Sequence, residues 1–551
     1  MAPSQRAPPQ QINWERLARG LALLFLAAAY SPVIVLTLSP VYGSYPSTLF
    51  HVWGTPVAGA AGWFLKDYII GLSRRQALYW IPVVAFWIPT VEYFLSQLST
   101  TWGTPAGPAV TEMLTYYPLI LLSVACGGKL IQSALDLKSR GDVVAEHVPF
   151  IGSYIVYAIG EKFAKAFIAK VIGSMFLFSS TGLQILLAIL YAATVPSKWL
   201  LLAIPSILFT LTSNVHLPLG YTTAALNSAL ADEGYHLIAR QESTTGYISV
   251  LDNLDDGFRV MRCDHSLLGG QWTNAEGSYN PVVPDPIYAV FATLEAIRLV
   301  ETEQGEPRTD AYSKALVIGL GVGTTPAALI NHGIETTIVE IDPVVHKFAT
   351  EYFHLPRNHI AVIDDAQRFV QRSIADSESK QYDYIVHDVF TGGVEPLQLF
   401  TLEFFKGLDA LLSPDGVIAI NYAGDITRYP AALIVRTIRS VFPTCRIFRE
   451  AGPSGESDFT NMVIFCKKAT STPLKFRAPV EADFLRSKAR KSYLVPENEI
   501  DVTRFDTIEK GGRRYLVSEE TERLKHFQDQ SAIGHWTIMR NVLPDAVWES
   551  W

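Results

Sequence analysis

The sequence predicts an α-helical transmembrane bundle followed by a doubly wound α/β domain, and three observations carry that prediction. Long apolar runs fill roughly the first 220 residues and then stop. From Lys314 onward, short apolar strands alternate with helical segments, the pattern of a parallel sheet covered on both faces. The turn after the first of these strands carries three closely spaced glycines, Gly319, Gly321 and Gly323.

The first half reads as residues 1–217, with spans near 18–38, 51–72, 78–98, 110–130, 171–194 and 199–217. Each is about long enough to cross a ~30 Å hydrocarbon core. The first run is too long for a cleaved signal peptide, and more runs follow it. Residues 147–170 are ambiguous, because VPFIGSYIVYAIG is short and Lys162, Lys165 and Lys170 follow; they suit an interfacial helix. Arg6, Arg16 and Arg19 precede the first span, Arg74 and Arg75 follow the second, and Lys129, Lys138 and Arg140 follow the fourth. The positive-inside rule then predicts six spans of a multi-pass membrane protein, both ends and the catalytic domain cytosolic, with Lys198 the one exception. Asp67, Glu92 and Glu112 fall within or at the edges of spans. They are functional candidates by position, or they pair with neighbours such as Lys66.

The second half divides into a connector (218–245), a small β-hairpin subdomain with a linker (246–313), a core (314–468) and a C-terminal extension (469–551). The hairpin is predicted from YISVLDN and FRVMRCD around an Asp-Gly turn. The core is predicted to hold a seven-stranded sheet with one antiparallel strand. The extension ends in HWTIMRNVLPDAVWESW, whose apolar residues need burial, against either the catalytic domain or the membrane surface. A net charge of −8, with no basic patch interleaved with aromatics, argues against nucleic acid as partner. Cys126, Cys263, Cys445 and Cys466 are scattered, show no metal-ligand spacing and suggest no disulfide framework.

Function is written at four strand ends. The segment KALVIGLGVGTTPAALINHGIETTIVEID reads as strand, glycine turn, helix and second strand, with Glu340 closing the second strand. A backbone turn without Cβ atoms lets a ligand approach, and an acid 21 residues after Gly319 can hold two ribose hydroxyls. The spacing is G-x-G-x-G, with Thr324 where a dinucleotide fingerprint has its last glycine, so the ligand is of the S-adenosyl type rather than a pyrophosphate. The third strand ends at Asp364 and Asp365, the fourth at Asp388. In an open α/β sheet those ends line one crevice. Each acid alone fits a helix N-cap, Asp364 most readily.

The order VIGLGVG, VEID, IDDAQRF, YDYIVHDVF, LFTLEFF, LLSPDGVIAIN resembles the spermidine/spermine synthases, the polyamine aminopropyltransferases, across about residues 240–468. The whole chain resembles a membrane-anchored branch of that superfamily. The resemblance implies a Rossmann-like fold of the class I methyltransferase kind, a donor that is S-adenosylmethionine or its decarboxylated form, no metal, a small-molecule acceptor and, in many members, a homodimer. By position it implies that Gly319, Gly321 and Gly323 hold the donor's tail, Glu340 its ribose, and Asp365 with Ala366 its adenine. Asp388 matches the first aspartate of the family's D-x-x-D motif, which orients and deprotonates the attacking amine.

Two departures bear on the reaction. Thr391 stands at the second aspartate, and Tyr279-Asn280 and Tyr288-Ala289 do not reproduce the family's Tyr-(His/Gln)-Glu element. A polycationic acceptor is thereby short of carboxylates, and Thr391 with Phe390 makes a less acidic pocket to which Tyr422 is a further candidate. The first expectation is therefore methyl transfer from S-adenosylmethionine to a lipophilic small molecule. An aminopropyltransferase with an altered amine site is the second. A non-catalytic sensor or scaffold is the third.

Overall fold

The structure, a computed structural model, describes residues 12–73, 76–273, 281–306, 308–376, 380–390, 393–450, 452, 459–469, 471–508 and 512–551. It has two compact units, Met1–Ala229 with Leu543–Trp551, and Leu230–Val542.

The first unit is helical. Four helices are long and apolar enough to cross a membrane: Trp14–Tyr42, Ala77–Ser96, Tyr116–Leu135 and Asp142–Val171. Trp14–Tyr42 packs against Tyr116–Leu135, Asp142–Val171 and Ser180–Thr194. The ambiguous segment 147–170 is part of one continuous 30-residue helix, Asp142–Val171. Four expected spans are broken: 51–72 divides into His51–Phe64 and Lys66–Leu72, 110–130 is interrupted at Thr115 between Ala106–Leu114 and Tyr116–Leu135, 171–194 keeps only Ser180–Thr194, and 199–217 ends in Ile204–Thr212. A helix of 15 residues reaches only about 22 Å at 1.5 Å per residue.

Apolar surroundings oblige polar side chains to find partners. Asp67 pairs with Lys129 rather than Lys66. His51 Nδ1 lies 3.0 Å from Glu112 Oε2 and its Nε2 lies 2.8 Å from Ser31 Oγ, while Gln184 Nε2 donates to Glu92 Oε2 at 2.7 Å. The last nine residues complete this unit. Thr100 donates to Glu549 Oε1 at 3.2 Å, and Trp551 stacks on His216 with ring centroids 4.5 Å apart. The apolar end of the extension is thus buried among helices, whereas its preceding part belongs to the second unit.

The second unit opens with a four-stranded antiparallel meander: β1 (Tyr235–Ser243), β2 (Gly246–Asn253), β3 (Phe258–Cys263) and β4 (Ser266–Trp272). The expected hairpin is its β2–β3 centre. Residues read as a connector supply a helix, Gly220–Ala231, and the edge strand β1. The main sheet contains β5 (Lys314–Ile318), β6 (Glu335–Glu340), β7 (Ile360–Ile363), β8 (Tyr382–His387), β9 (Leu412–Asp425), β10 (Thr444–Arg449), β11 (Phe459–Lys467) and β12 (Asn498–Ile500). Their order is β12-β10-β11-β9-β8-β5-β6-β7, with β5 to β9 parallel and β11 antiparallel to β9.

The seven expected strands are therefore present, and the sheet has eight. The extra one, β12, is three residues of the C-terminal extension on the edge of β10, too short to carry a periodic signal. Leu316, Ile318, Ile385, Ile418 and Ile420 sit in the core on one face, Val317, Val386 and Ala419 on the other. Burying each large aliphatic contributes roughly 1.5–3 kcal/mol. That core holds the strand ends in place.

Cys445 and Cys466 stand directly opposite on β10 and β11 and form a disulfide. The sequence suggested none, because a separation of 21 residues says nothing about cross-strand register. Disulfides persist chiefly in oxidising compartments.

Candidate active site

Strand β5 is the switch point of the sheet, with β6 and β7 on one side and β8 and β9 on the other. A crevice opens beyond the carboxyl end of such a strand. Here it is a cavity of about 630 Å³, lined by Gly319, Gly321, Glu340, Asp364, Asp365, Ala366 and Asp388 among others. Six of the seven expected donor and catalytic positions thus meet in one place.

Gly319 and Gly321 have φ of +84° and +54°, conformations that a side chain disfavours. A Cβ on Gly319 would sit 2.0 Å from the Asp388 carbonyl oxygen, and one on Gly321 2.5 Å from that of Leu268. The glycines let the turn pass between the end of β8 and strand β4, so neighbouring backbone, as well as ligand approach, requires them. Gly323 is absent from the cavity wall. It caps the helix Thr324–Asn331, and its ideal Cβ would meet Leu355.

Glu340 is 7% exposed and accepts two backbone N–H bonds, Leu320 to Oε2 and Asp342 to Oε1, both 2.9 Å. Burial pushes its carboxyl up to about 7, against those hydrogen bonds, which favour the carboxylate. Asp365 is the N-cap of the helix Ala366–Ala375, accepting from Arg368 N at 3.0 Å. The capping role expected of Asp364 therefore falls one residue later, and Asp364 pairs with Arg368 and Arg372.

Asp388 follows β8 and receives the Asn421 side-chain amide of β9 at Oδ1, 2.9 Å away. Burial pushes its carboxyl up to about 6, opposed by that hydrogen bond. Asn421 Oδ1 is buried, lines the same cavity and has no hydrogen-bond partner among the described residues. Tyr422 points the other way along the strand. It packs edge-on against Phe400, ring centroids 5.9 Å apart, and lines a second cavity. Thr391, Tyr279 and Asn280 lie outside the described residues; Tyr288 and Phe390 line the main cavity.

The helix Lys525–Arg540 supplies a wall that the sequence did not assign, with His535, Ile538 and Met539 facing the main cavity. His535 Nε2 lies 3.0 Å from Ser266 Oγ, and its ring stands edge-on to Phe390 at 5.4 Å. Burial lowers it to about 4, so it is neutral near pH 7. The unassigned apolar run HWTIMR was the available signal.

These residues fit an adenosyl donor. Each Glu340 oxygen accepts one backbone N–H and keeps lone-pair capacity for a ribose hydroxyl. Ile341, Ala366 and Leu399 offer an apolar slot beside it, and the unpartnered Asn421 oxygen lies with Asp388. The arrangement can hold a donor at Glu340 and a nitrogen nucleophile at Asp388.

Comparison with known proteins agrees. Residues 304–475 match the spermine/spermidine synthase domain. Over 545 residues, 98% of both chains, the sequence is 63% identical to an N-terminal histidine N-methyltransferase of Emericella nidulans. A polyamine aminopropyltransferase of Vibrio vulnificus is 32% identical over 189 residues, 34% of this chain and 60% of that one. Human methyltransferase-like protein 13 in complex with SAH shares 21% identity, covering 38% of this chain and 93% of that one, with a TM-score of 0.29. The chain belongs to the family of the Emericella enzyme, as an S-adenosylmethionine-dependent transferase with a spermidine synthase-like domain.

Proposed function

We propose that this chain is a membrane-anchored methyltransferase that moves a methyl group from S-adenosylmethionine to a ring nitrogen of the N-terminal histidine of a polypeptide. The observation that carries this reading is the 63% identity, over nearly the whole chain, to an enzyme named for that acceptor. The lipophilic small molecule expected from the sequence rested on the membrane anchor and on a pocket short of carboxylates. Polyamine transfer finds support only in partial matches to the α/β domain.

The donor supplies an electrophilic methyl on a sulfonium. A nitrogen lone pair forms the new N–C bond, the C–S bond breaks with its electrons passing to sulfur, and the displaced N–H proton leaves. The Asp388 carboxylate accepts a hydrogen bond from the acceptor's N–H, turns the opposite lone pair toward the methyl and takes or relays that proton. The Asn421 amide holds Asp388 in place. Near pH 7 an imidazole (about 6.5) is largely neutral, whereas an α-amine (about 7.7–8) is largely protonated. The ring nitrogen is therefore the better nucleophile.

The test compares two peptides, one beginning with histidine and one with alanine, with the detergent-solubilised full-length chain and S-adenosylmethionine. Methylation of the histidine peptide alone is expected; equal methylation, or turnover of spermidine instead, contradicts the reading.

The anchor bears on where this happens. The cytosolic placement rested on six crossings, several of which are broken, while residues 147–170 lie in the long apolar helix Asp142–Val171; crossing parity therefore does not carry the placement. The Cys445–Cys466 disulfide supports an oxidising compartment for the catalytic unit. An N-glycosylation acceptor placed at the exposed Arg357–Asn358 turn is expected to be modified in cells. An unmodified site that is readily cleaved by protease added on the cytosolic side of intact microsomes contradicts this placement.

A further inference from the structure

Next to the donor cavity lies a second one of about 260 Å³, and the two share Ala423, His535 and Ile538 in their walls. Glu395 lines only the second. It is 8% exposed, its Oε1 has no hydrogen-bond partner, and it forms no ion pair among the described residues. The basic residue of this cavity is already engaged: Arg428 reaches Asp425 at 3.3 Å and Gln530 at 2.8 Å. Nothing in the methyl-transfer chemistry calls on Glu395.

Resting on the acceptor reading above, we propose that the second cavity is an acceptor subsite in which Glu395 binds the free α-ammonium of the substrate polypeptide. The ring of the same residue would then extend to Asp388 and Asn421.

A buried carboxylate without a cation is costly, and a charged ligand is what offsets that cost. Burial pushes the Glu395 carboxyl up to about 8, opposed by its own N–H and that of Ala423. An arriving ammonium group reverses that tendency. The spacing suits one residue. Asn421 and Ala423 are two positions apart on β9, on one face and about 7 Å from each other. Asn421 lies at the reacting end, and the Ala423 N–H meets Glu395. The α-amine and ring of a single histidine bridge such a distance. The subsite reads the chain terminus itself: an internal histidine has an amide there, with no charge to offer.

Glu395→Gln keeps the shape and removes the charge. With a histidine-first peptide, its KM is expected to rise about 10- to 100-fold with kcat changed less than about threefold, while S-adenosylmethionine affinity and the melting temperature hold. The unmutated protein supplies an independent arm. A peptide whose first residue is des-amino-histidine, with the ring but no α-amine, is expected to lose at least about 100-fold in kcat/KM. Glu395→Gln should handle that peptide as the wild type does. Turnover of the histidine-first peptide by the wild type tests the acceptor reading separately. Given that turnover, an unchanged KM in Glu395→Gln, equal use of the des-amino peptide, or a methyl group found on the α-nitrogen overturns the subsite.

Discussion

Replacing Asp388 with asparagine is expected to lower kcat by about 10²- to 10⁴-fold, the usual range for a lost general base. S-adenosylmethionine affinity should change little, because the proposed anchor for the donor is Glu340. Asparagine keeps the shape, and it can still face the Asn421 side chain if one of the two amides rotates. The pH profile separates a catalytic from a structural role. The active form of Asp388 is the carboxylate, and burial holds its ionisation near 6. Lowering pH through that value protonates it and removes activity. An acceptor imidazole also protonates near about 6.5. At saturating peptide and donor, log kcat of the wild type should therefore climb below pH 6 with a slope approaching about two. In Asp388→Asn the acceptor's ionisation alone remains, with a slope of about one. A variant with normal kcat, or with the wild-type slope, shows that Asp388 does not handle the proton.

Glu340→Ala should have the largest effect on donor binding. It removes the acid proposed for the ribose diol and leaves the Leu320 and Asp342 N–H groups without their partner. Two charge-assisted hydrogen bonds at about 1.5–3 kcal/mol each imply a 10²- to 10⁴-fold weaker donor affinity by calorimetry. Each orphaned buried N–H costs about 1–3 kcal/mol of stability, so the melting temperature should fall as well. Glu340→Gln is the companion variant: it retains the Oε1 acceptor but sets an amide against one N–H, and it should bind the donor with intermediate strength. Undiminished affinity in both variants contradicts the placement of the donor at β6.

The crevice at the strand ends was legible because it is local. Each of Gly319, Glu340, Asp365 and Asp388 closes or follows a strand, and a parallel sheet brings such ends together whatever its loops do. Assignments failed where position depended on distant chain. The cap is a separate, local case: a helix boundary read from sequence shifts by a residue, and here the helix begins at Ala366. The disulfide depends on β10–β11 register, and β12 on three residues of an aperiodic extension. His535 joins the cavity from more than 140 residues beyond Asp388, carried by a helix with no motif of its own. Glu395 was passed over for the opposite reason. It sits beside the D-x-x-D segment, but only burial without a partner marks it out. In the bundle, apolar runs located the helices, but the breaks fall at residues such as Leu65 and Thr115 while Pro56, Pro82 and Pro89 lie inside continuous helices; composition alone does not set those breaks.

The most direct measurement is tandem mass spectrometry of a histidine-first peptide after incubation with the full-length protein and S-adenosylmethionine carrying an isotopically labelled methyl group. The account predicts one labelled methyl on the first residue, located to the imidazole ring, and none when Asp388 is asparagine. Label recovered in a lipid or polyamine fraction, with the peptide unmodified, would contradict it.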